Sequence, residues 1–158
     1  MKITTGNHYL AFVLSKEQRD YLLTKYGHIL YRYSVEVTLH ITIAYNFTEE
    51  DVPTLQKFVD NAKVFQLNGL LCGDGISTFK VLIDGISKRP IDDKQFHITA
   101  SRSKLRKDVE SNDLLSGEIP TFETFEANDE LHGKFYLIPK GTKSIIGGST
   151  HYIEFTSI

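Results

Sequence analysis

Two short segments of the sequence carry the same three residues, His-Ile-Thr, between apolar neighbours. The first, residues 39–44, reads LHITIA, and the second, residues 96–100, reads FHITA. Imidazoles titrate near neutral pH, so a pair of them suits general acid–base catalysis. Threonine hydroxyls beside them can donate hydrogen bonds to phosphate oxygens as negative charge builds in a transition state. The residue types therefore indicate acid–base chemistry at a phosphate group. The candidate catalytic residues are His40, Thr42, His97 and Thr99.

The duplication separates these two histidines from the others in the chain. A single histidine on a strand is most often a half-exposed residue that hydrogen-bonds to a neighbouring hydroxyl group. Two histidines in matching apolar frames, with their polar neighbours on one face, favour a functional interpretation instead. The remaining histidines lack such a frame, and we interpret them as surface or structural residues. They are His8, His28, His132 and His151.

Other catalytic classes have weaker support in the sequence. Two histidines without carboxylates or cysteines at ligand spacing make a poor zinc or iron set, so we expect no metal site. The sequence has no Gly-x-Ser-x-Gly motif for a serine nucleophile and no Walker-type loop for a nucleoside triphosphate. We therefore expect a reaction that needs no cofactor.

Strand periodicity explains how each motif could project its polar residues into one space. Successive side chains of a strand point to opposite faces. In the first copy the apolar face would hold Val37, Leu39, Ile41 and Ile43, and the polar face Thr38, His40 and Thr42. In the second copy the apolar face would hold Phe96, Ile98 and Ala100, and the polar face Gln95, His97, Thr99 and Ser101. Both strands would bury one side and present His and Thr on the other.

The remaining pattern predicts an α+β fold in which helices flank antiparallel sheet. Predicted strands are residues 9–14, 31–43, 64–71, 79–86, 134–138 and 151–156, together with the second motif strand. Predicted helices are one that begins after Ser15 in a capping box and ends near Gly27, residues 52–62, and one turn at 111–115. A turn at residues 72–75 pairs two strands as a hairpin, and residues 87–93 form a loop.

Composition is ordinary for a globular protein and narrows the choice of partner. The 158 residues are 41% hydrophobic and 24% charged, which predicts one domain, residues 1–158, with two pseudo-symmetric lobes. A net charge of −2 argues against an extended nucleic-acid surface, although a small nucleotide or an RNA end needs only a local basic patch.

Cys72 is the only cysteine, so no intrachain disulfide is possible. Without an apolar run of membrane-spanning length we expect a cytoplasmic protein, in the host cytoplasm if viral.

With these motifs the sequence resembles the two-histidine (2H) phosphoesterase superfamily, whose hallmark is a pair of His-apolar-Thr motifs on opposed strands. The resemblance is closest to the group that contains the 2′,3′-cyclic-nucleotide phosphodiesterases and the cyclic phosphodiesterases of fungal and plant tRNA ligases. Three later stretches carry this finer match: Val109 with residues 113–115, residues 133–136, and residues 152–156. The resemblance implies a bilobal α+β fold with antiparallel sheets around a central cleft and flanking helices.

The resemblance also implies roles for individual residues. His40, Thr42, His97 and Thr99 match the catalytic quartet of the superfamily. Tyr45 stands where the group has an aromatic residue that stacks on the base. Val109 stands where a loop residue holds the attacking water through its backbone. Beside the second motif, Arg102 and Lys104 belong to a basic cluster that could guide phosphates, or could equally be a solvated loop.

The implied activity is metal-independent hydrolysis of 2′,3′-cyclic phosphates, in nucleotides or at RNA ends, to 2′-phosphates. His97 would act as the base and His40 as the acid. Two alternatives stay open. The first is a viral 2H phosphodiesterase that degrades cyclic oligonucleotide or 2′,5′-linked immune second messengers. The second is a module that binds a nucleotide or an RNA end without turnover.

Overall fold

The computed structural model describes residues 6–141 and 153–155. The strands are β1 (His8–Leu14), β2 (Ser34–Val35), β3 (His40–Ala44), β4 (Phe65–Gly73), β5 (Ile76–Ile83), β6 (His97–Arg102), β7 (Thr121–Phe125), β8 (Gly133–Pro139) and β9 (Ile153–Glu154). The α-helices are α1 (Lys16–Leu30), α2 (Val52–Asn61) and α3 (Ser111–Ser116). Two 3₁₀ turns, Glu49–Asp51 and Asp108–Glu110, precede α2 and α3.

The strands form two antiparallel sheets, and each sheet contains one His-Ile-Thr motif. One sheet has the order β3-β1-β8-β9 and the other the order β2-β6-β5-β4-β7. In the first sheet His40 lies opposite Val13 of β1, and in the second His97 lies opposite Lys80 of β5. Strands β3 and β6 also contact each other across the two sheets. The fold thus brings together two motifs that are far apart in sequence.

An aromatic cluster joins the two sheets inside a shared hydrophobic core. Phe12 of β1 stacks on Phe65 of β4 with ring centroids 3.8 Å apart and nearly parallel planes. Phe135 of β8 meets both rings edge-on, at 5.1 Å and 5.7 Å. Such arrangements stabilise a core beyond the burial of apolar area alone. The relative position of the sheets therefore depends on well-packed aromatic side chains.

The prediction of one strand over residues 31–43 is wrong, because the chain changes sheets within that stretch. Strand β2 pairs with β6, whereas β3 pairs with β1. Between them, the Glu36 amide donates to the Ala100 carbonyl on one sheet, and the Leu39 carbonyl accepts from the Leu14 amide on the other. The strand face expected to bury Val37 does not extend that far, so this side chain is 48% exposed.

Helix α1 begins where the sequence predicts but ends later. The Ser15 hydroxyl accepts a hydrogen bond from the Gln18 amide, as an N-cap should. The Gln18 side chain does not complete the capping box, because its carbonyl oxygen accepts from the His132 amide instead. The helix continues past Gly27 because Ile29 and Leu30 are buried in the core, at 3% and 0% exposure. This burial outweighs the helix-ending tendency of glycine.

Strand β7 is absent from the sequence-based prediction, and its pattern explains why. Four of the five residues in Thr121–Phe125 are exposed, so the segment lacks the apolar alternation of a half-buried strand. It lies at the edge of the second sheet and pairs with β4 along one side. This strand is defined by its backbone hydrogen bonds to β4, and the pattern of apolar residues in the sequence does not predict such pairing.

Most other predicted elements are confirmed with small shifts of their ends. They are β1, α2, the β4–β5 hairpin, β6, α3 and β8. The hairpin turn is tighter than predicted, since β4 extends through Gly73 and Gly75 takes the left-handed conformation at φ +75°. Strand β9 covers part of the last predicted strand, and His151, Tyr152 and Thr156 lie outside the described residues. None of the helices in the described ranges is long and apolar enough to cross a bilayer.

Gly133 provides a test of how closely β8 packs against β1. A Cβ atom at this position would overlap the carbonyl oxygen of Val13 on the neighbouring strand. The backbone fixes the positions of both the Cβ atom and the Val13 carbonyl, so no side-chain rotation can relieve the overlap. We therefore expect Gly133→Ala to lower the free energy of unfolding by about 1–3 kcal/mol. Urea denaturation measures this change. Gly6→Ala is the matched control, since a Cβ there meets nothing within 4 Å, and equal stability of the two variants would contradict the prediction.

Candidate active site

The alternation of β3 and β6 turns the His and Thr residues of both motifs away from the core. Ile41 and Ile98 are fully buried, each flanked by the His and Thr of its own motif. The two imidazoles are close enough that a positive charge on His40 contributes to lowering the pKa of His97, alongside the larger effect of burial. The structure therefore brings the two predicted histidines into one site.

His97 is held as a neutral imidazole with a defined orientation. Its ring is only 8% exposed, and Nδ1 lies 2.9 Å from the Gln95 carbonyl oxygen. Since a carbonyl can only accept, Nδ1 carries the proton and Nε2 keeps its lone pair. Burial lowers the pKa of His97 to about 4, and the positive charge of Arg89 adds to this effect. A neutral ring with a free Nε2 is suited to accept a proton.

His40 lies in a less closed setting. Its ring is half-buried and lies 6.0 Å from the Tyr9 ring, centroid to centroid. Burial lowers the pKa of His40, while the Asp108 carboxylate and the Thr38 backbone act to raise it. Nδ1 of His40 is buried, and no described group completes a hydrogen bond to it with normal geometry. The pKa of His40 is thus lowered overall by burial, and the nearby Asp108 carboxylate offsets part of this effect.

A chain of buried hydroxyl groups holds Thr99 in place. Thr99 Oγ1 lies 2.7 Å from Ser111 Oγ, which lies 2.8 Å from Thr78 Oγ1. Thr99 also donates to the Asp108 carbonyl at 3.3 Å. Ser111 is fully buried at the start of α3, so this short helix is fastened to β5 and β6 at the site. The sequence pattern did not single out Ser111, because its partners lie 12 and 33 positions away.

Thr42 and Tyr45 lie on the β3 side of the site. Thr42 is half-buried, and within the described residues no group hydrogen-bonds to its hydroxyl. Tyr45 is 44% exposed, and its ring lies 5.3 Å from that of Tyr9. Lys140 Nζ sits 4.6 Å from the Tyr45 ring centroid and donates to Asn46 Oδ1 at 2.8 Å. Lys140, distant in sequence, is a further candidate residue beside Tyr45.

The three other predicted substrate-binding residues surround the Asp108–Glu110 turn. Val109 is 60% exposed, and its carbonyl accepts from Asn112 Nδ2 at 3.1 Å. Arg102 Nε lies 2.9 Å from Glu36 and 2.6 Å from Asp108, so two carboxylates already balance its charge. Lys104 is exposed in the turn after β6, with no ion pair to any described residue. Their contribution to substrate binding stays a prediction.

The two carboxyl groups that contact Arg102 have pKa values that are shifted in opposite directions. Burial, together with the nearby Asp108 carboxylate, raises the pKa of Glu36 to about 7. Burial would also raise the pKa of Asp108, but hydrogen bonds with Glu36 and Arg102 outweigh it and hold this pKa below its usual range. Asp108 is therefore the carboxylate whose negative charge acts on both histidines.

Comparisons with known proteins support the fold but add little at the level of sequence. No protein-family model and no curated protein matches the chain. Among solved structures, it resembles a fungal RNA kinase, with a TM-score of 0.50 and 14% sequence identity. The match covers 91% of this chain but only 44% of the kinase chain. At this identity the likeness concerns the fold alone, and it agrees with the predicted α+β class of two antiparallel sheets with helices.

Strands β3 and β6, which contact each other, carry two imidazoles and two hydroxyl groups. Such groups are able to move protons at a phosphate group. Within residues 6–141 and 153–155, no three His, Cys, Asp or Glu side chains are grouped to hold a metal ion. The chemistry that the side chains themselves can perform is proton transfer and hydrogen bonding to an anion.

The low pKa of His97 has a consequence for stability. In the unfolded chain His97 titrates near its ordinary value of 6.5, but in the folded protein only near 4. Between these values the unfolded state binds the proton more readily, so the free energy of unfolding falls as the pH drops from 6.5 to 4. The His97→Gln variant has no imidazole to protonate at this position. We therefore expect its free energy of unfolding to decrease less between pH 6.5 and pH 4 than that of the wild type, by up to about 3 kcal/mol.

Urea denaturation at pH 7 and at several lower pH values measures this difference. The exposed His28 of α1 offers a matched control, since His28→Gln removes an imidazole outside the site. Identical pH dependence in the wild type and in His97→Gln would contradict the assignment of a buried, neutral His97.

Proposed function

We propose that the protein is a metal-independent phosphodiesterase that hydrolyses 2′,3′-cyclic phosphates of nucleotides or RNA ends to 2′-phosphates. The observation that carries this proposal is the meeting of two His-Ile-Thr motifs from separate sheets, one of them with a neutral imidazole whose Nε2 is free. Residues 1–158 would act as one domain of two lobes, each lobe supplying one motif, in the cytoplasm.

His97 is the general base and His40 the general acid in this proposal. Nε2 of His97 takes a proton from water, and the water oxygen attacks phosphorus in line with the bond to the ribose 3′-oxygen. That bond breaks, and His40 donates its proton to the departing oxygen. The low pKa of His97 keeps it neutral before the reaction. Burial lowers the pKa of His40 as well, and Asp108 opposes this on both rings, so the negative charge of the bound phosphate would place the proton on His40.

The two threonines would bind the nonbridging phosphate oxygens. Thr42 has a hydroxyl that no described group occupies. Thr99 can accept a hydrogen bond from Ser111, and its own proton, which is donated to the Asp108 carbonyl at 3.3 Å, would turn to the phosphate when the substrate binds. Donors fixed in this way stabilise charge that develops in the transition state without reorganising.

An aromatic platform beside His40 supports a nucleotide as the substrate. The half-exposed Tyr45 ring can stack on a base, and Tyr9 and Lys140 fix its orientation from two sides. Val109, Arg102 and Lys104 would border the same cleft. The fungal neighbour is an RNA kinase, and this agrees with an RNA end as one possible substrate.

Substitution of either histidine tests the proposal directly. We expect His40→Ala and His97→Ala each to lower turnover of 2′,3′-cyclic AMP by at least about 10²-fold, because general acid–base catalysis contributes that much. Product formation is followed by chromatography, which also separates 2′-phosphate from 3′-phosphate. His28→Ala is the control, and circular dichroism establishes that each variant is folded. Normal turnover in both site variants would overturn the proposal.

The substrate class is resolved by one panel of compounds tested with the wild-type protein. Cyclic mononucleotides, RNA with a cyclic-phosphate end, cyclic dinucleotides and 2′,5′-linked oligonucleotides are compared at equal concentration. Preference for either of the first two supports the proposal. Preference for the last two would indicate degradation of second messengers, and tight binding without any product would indicate a binding module.

Ser111 provides a test of the role of Thr99. Ser111→Ala leaves the hydroxyl of Thr99 without its 2.7 Å partner, so the hydroxyl can rotate away from the phosphate. We expect kcat to fall about tenfold, the equivalent of one weakened hydrogen bond, with a smaller change in KM. Ser116→Ala at the far end of the same helix is the control, since within the described residues its hydroxyl donates to the Asp113 carbonyl alone. An unchanged kcat in Ser111→Ala would exclude this positioning role.

A further inference from the structure

Arg89 is a buried cation whose hydrogen-bonding capacity is mostly unused. It lies in the loop between β5 and β6, and only 5% of its side chain is exposed. Among the described residues its one side-chain hydrogen bond runs from Nη1 to Asp92 Oδ2, at 3.2 Å. Its Nε is buried and has no acceptor. A guanidinium group carries five N–H donors, so this is an unusual way to bury one.

The position of Arg89 relates it to the candidate site. The Arg89 amide donates to the Lys94 carbonyl at 2.8 Å, beside the bridge between Lys88 and Gln95, and the Gln95 carbonyl is the partner of His97 Nδ1. From this place the positive charge of Arg89 lowers the pKa of both His97 and His40. The other charged side chain that acts on both rings, Asp108, is already bound to Arg102. Arg89 is therefore a buried positive charge beside the two imidazoles whose only described counter-ion, Asp92, is itself 33% exposed.

The chemistry of a guanidinium group indicates the class of ligand that Arg89 could bind. Buried charges are normally paired, and the planar fork of arginine matches the oxygen atoms of a phosphate or a carboxylate. A ligand that enters between the two imidazoles would approach this guanidinium group, whose Nε has no acceptor among the described residues. An anionic phosphate diester would supply both the countercharge and the acceptor atoms.

We propose that Arg89 binds a nonbridging oxygen of the substrate phosphate while that phosphate lies between His40 and His97. Arg89 then adds a full positive charge to the neutral donors Thr42 and Thr99. Charge on the nonbridging oxygens grows during attack by water, so this contact strengthens in the transition state. This inference rests on the proposed function in that it takes the ligand to be a phosphate diester.

A purely structural role for Arg89 has a distinct signature. If Arg89 serves only to anchor the β5–β6 loop, it does so through Asp92, because the structure gives its side chain no other described hydrogen bond. Asp92→Asn weakens that link and leaves the guanidinium free to bind a phosphate. Loss of function in Asp92→Asn equal to that in an Arg89 variant would therefore identify a structural role.

The experiment measures ligand binding separately from turnover. Adenosine 2′-monophosphate and inorganic phosphate are titrated into the wild type, Arg89→Met, Arg89→Lys, Asp92→Asn and Lys88→Met, with binding followed by the NMR signals of the histidine rings. Lys88→Met removes the same charge from an exposed neighbour in the same loop. We expect Arg89→Met to weaken binding of both ligands by about 10- to 100-fold, the loss of a charged hydrogen bond. Arg89→Lys keeps the charge without the fork and should bind with intermediate affinity, while Lys88→Met and Asp92→Asn should stay within about threefold of the wild type.

The NMR titration also tests the position of Arg89 without any ligand. Removing its charge in Arg89→Met should raise the pKa of both His40 and His97, and Arg89→Lys should leave them closer to the wild type. If Arg89→Met does not fold, Arg89→Lys carries the comparison of phosphate affinity by itself.

The outcomes for this inference and for the proposed function can be told apart. Phosphate binding that depends on Arg89, in a protein that turns over no member of the substrate panel, contradicts the proposed function and leaves the binding role in place. Cyclic phosphodiesterase activity that is the same in the wild type, Arg89→Met and Arg89→Lys overturns the role of Arg89 alone. Failure of the wild-type protein to bind either ligand also overturns it.

Discussion

The alternation of side chains along β3 and β6 is the constraint on which the site depends. Ile41 and Ile98 are fully buried in the core, and this forces their neighbours in each motif to the opposite face. A slip of one residue in either strand would exchange the two faces and bury an imidazole in place of an isoleucine. The free energy of core burial therefore also fixes the direction of the candidate catalytic groups. The packing of Phe12 on Phe65 then sets the distance between the two sheets that carry them.

Burial stabilises the apolar core, but at the site it disfavours the charged form of both histidines. The surroundings of the two rings differ in hydrogen bonding: His97 has a carbonyl partner at Nδ1, whereas Nδ1 of His40 has no partner among the described residues. Burial lowers the pKa of both imidazoles, and Asp108 acts against this on each of them. In the proposed reaction the charge of the bound phosphate would help to separate the roles of acid and base.

Local pattern was enough to predict the motif strands, α2, the β4–β5 hairpin and the α+β class, because alternation and turn chemistry act over a few residues. It failed where distant contacts decide the outcome. The chain crosses between sheets near Val37, since each end pairs with a different strand. Ser111, Lys140 and Arg89 approach the site only through tertiary structure, and no spacing rule connects them to a motif. The His-Ile-Thr pair could be recognised because its information is contained within five or six residues.

Two of the buried polar atoms that have no hydrogen bond among the described residues belong to His40 and Arg89. Among the described residues, the buried side-chain atoms without a hydrogen bond include Thr38 Oγ1, His40 Nδ1 and Arg89 Nε, and only Gln56 Oε1 belongs to a helix away from the motifs. Each such group costs stability, on the order of 1–3 kcal/mol, that a different side chain would avoid. The adjoining strands satisfy the hydroxyl groups of Ser77, Thr78 and Ser101, in contrast to these atoms. In the proposed function, the substrate phosphate would supply hydrogen bonds that the site leaves unmade, and its binding would then stabilise the folded protein before catalysis.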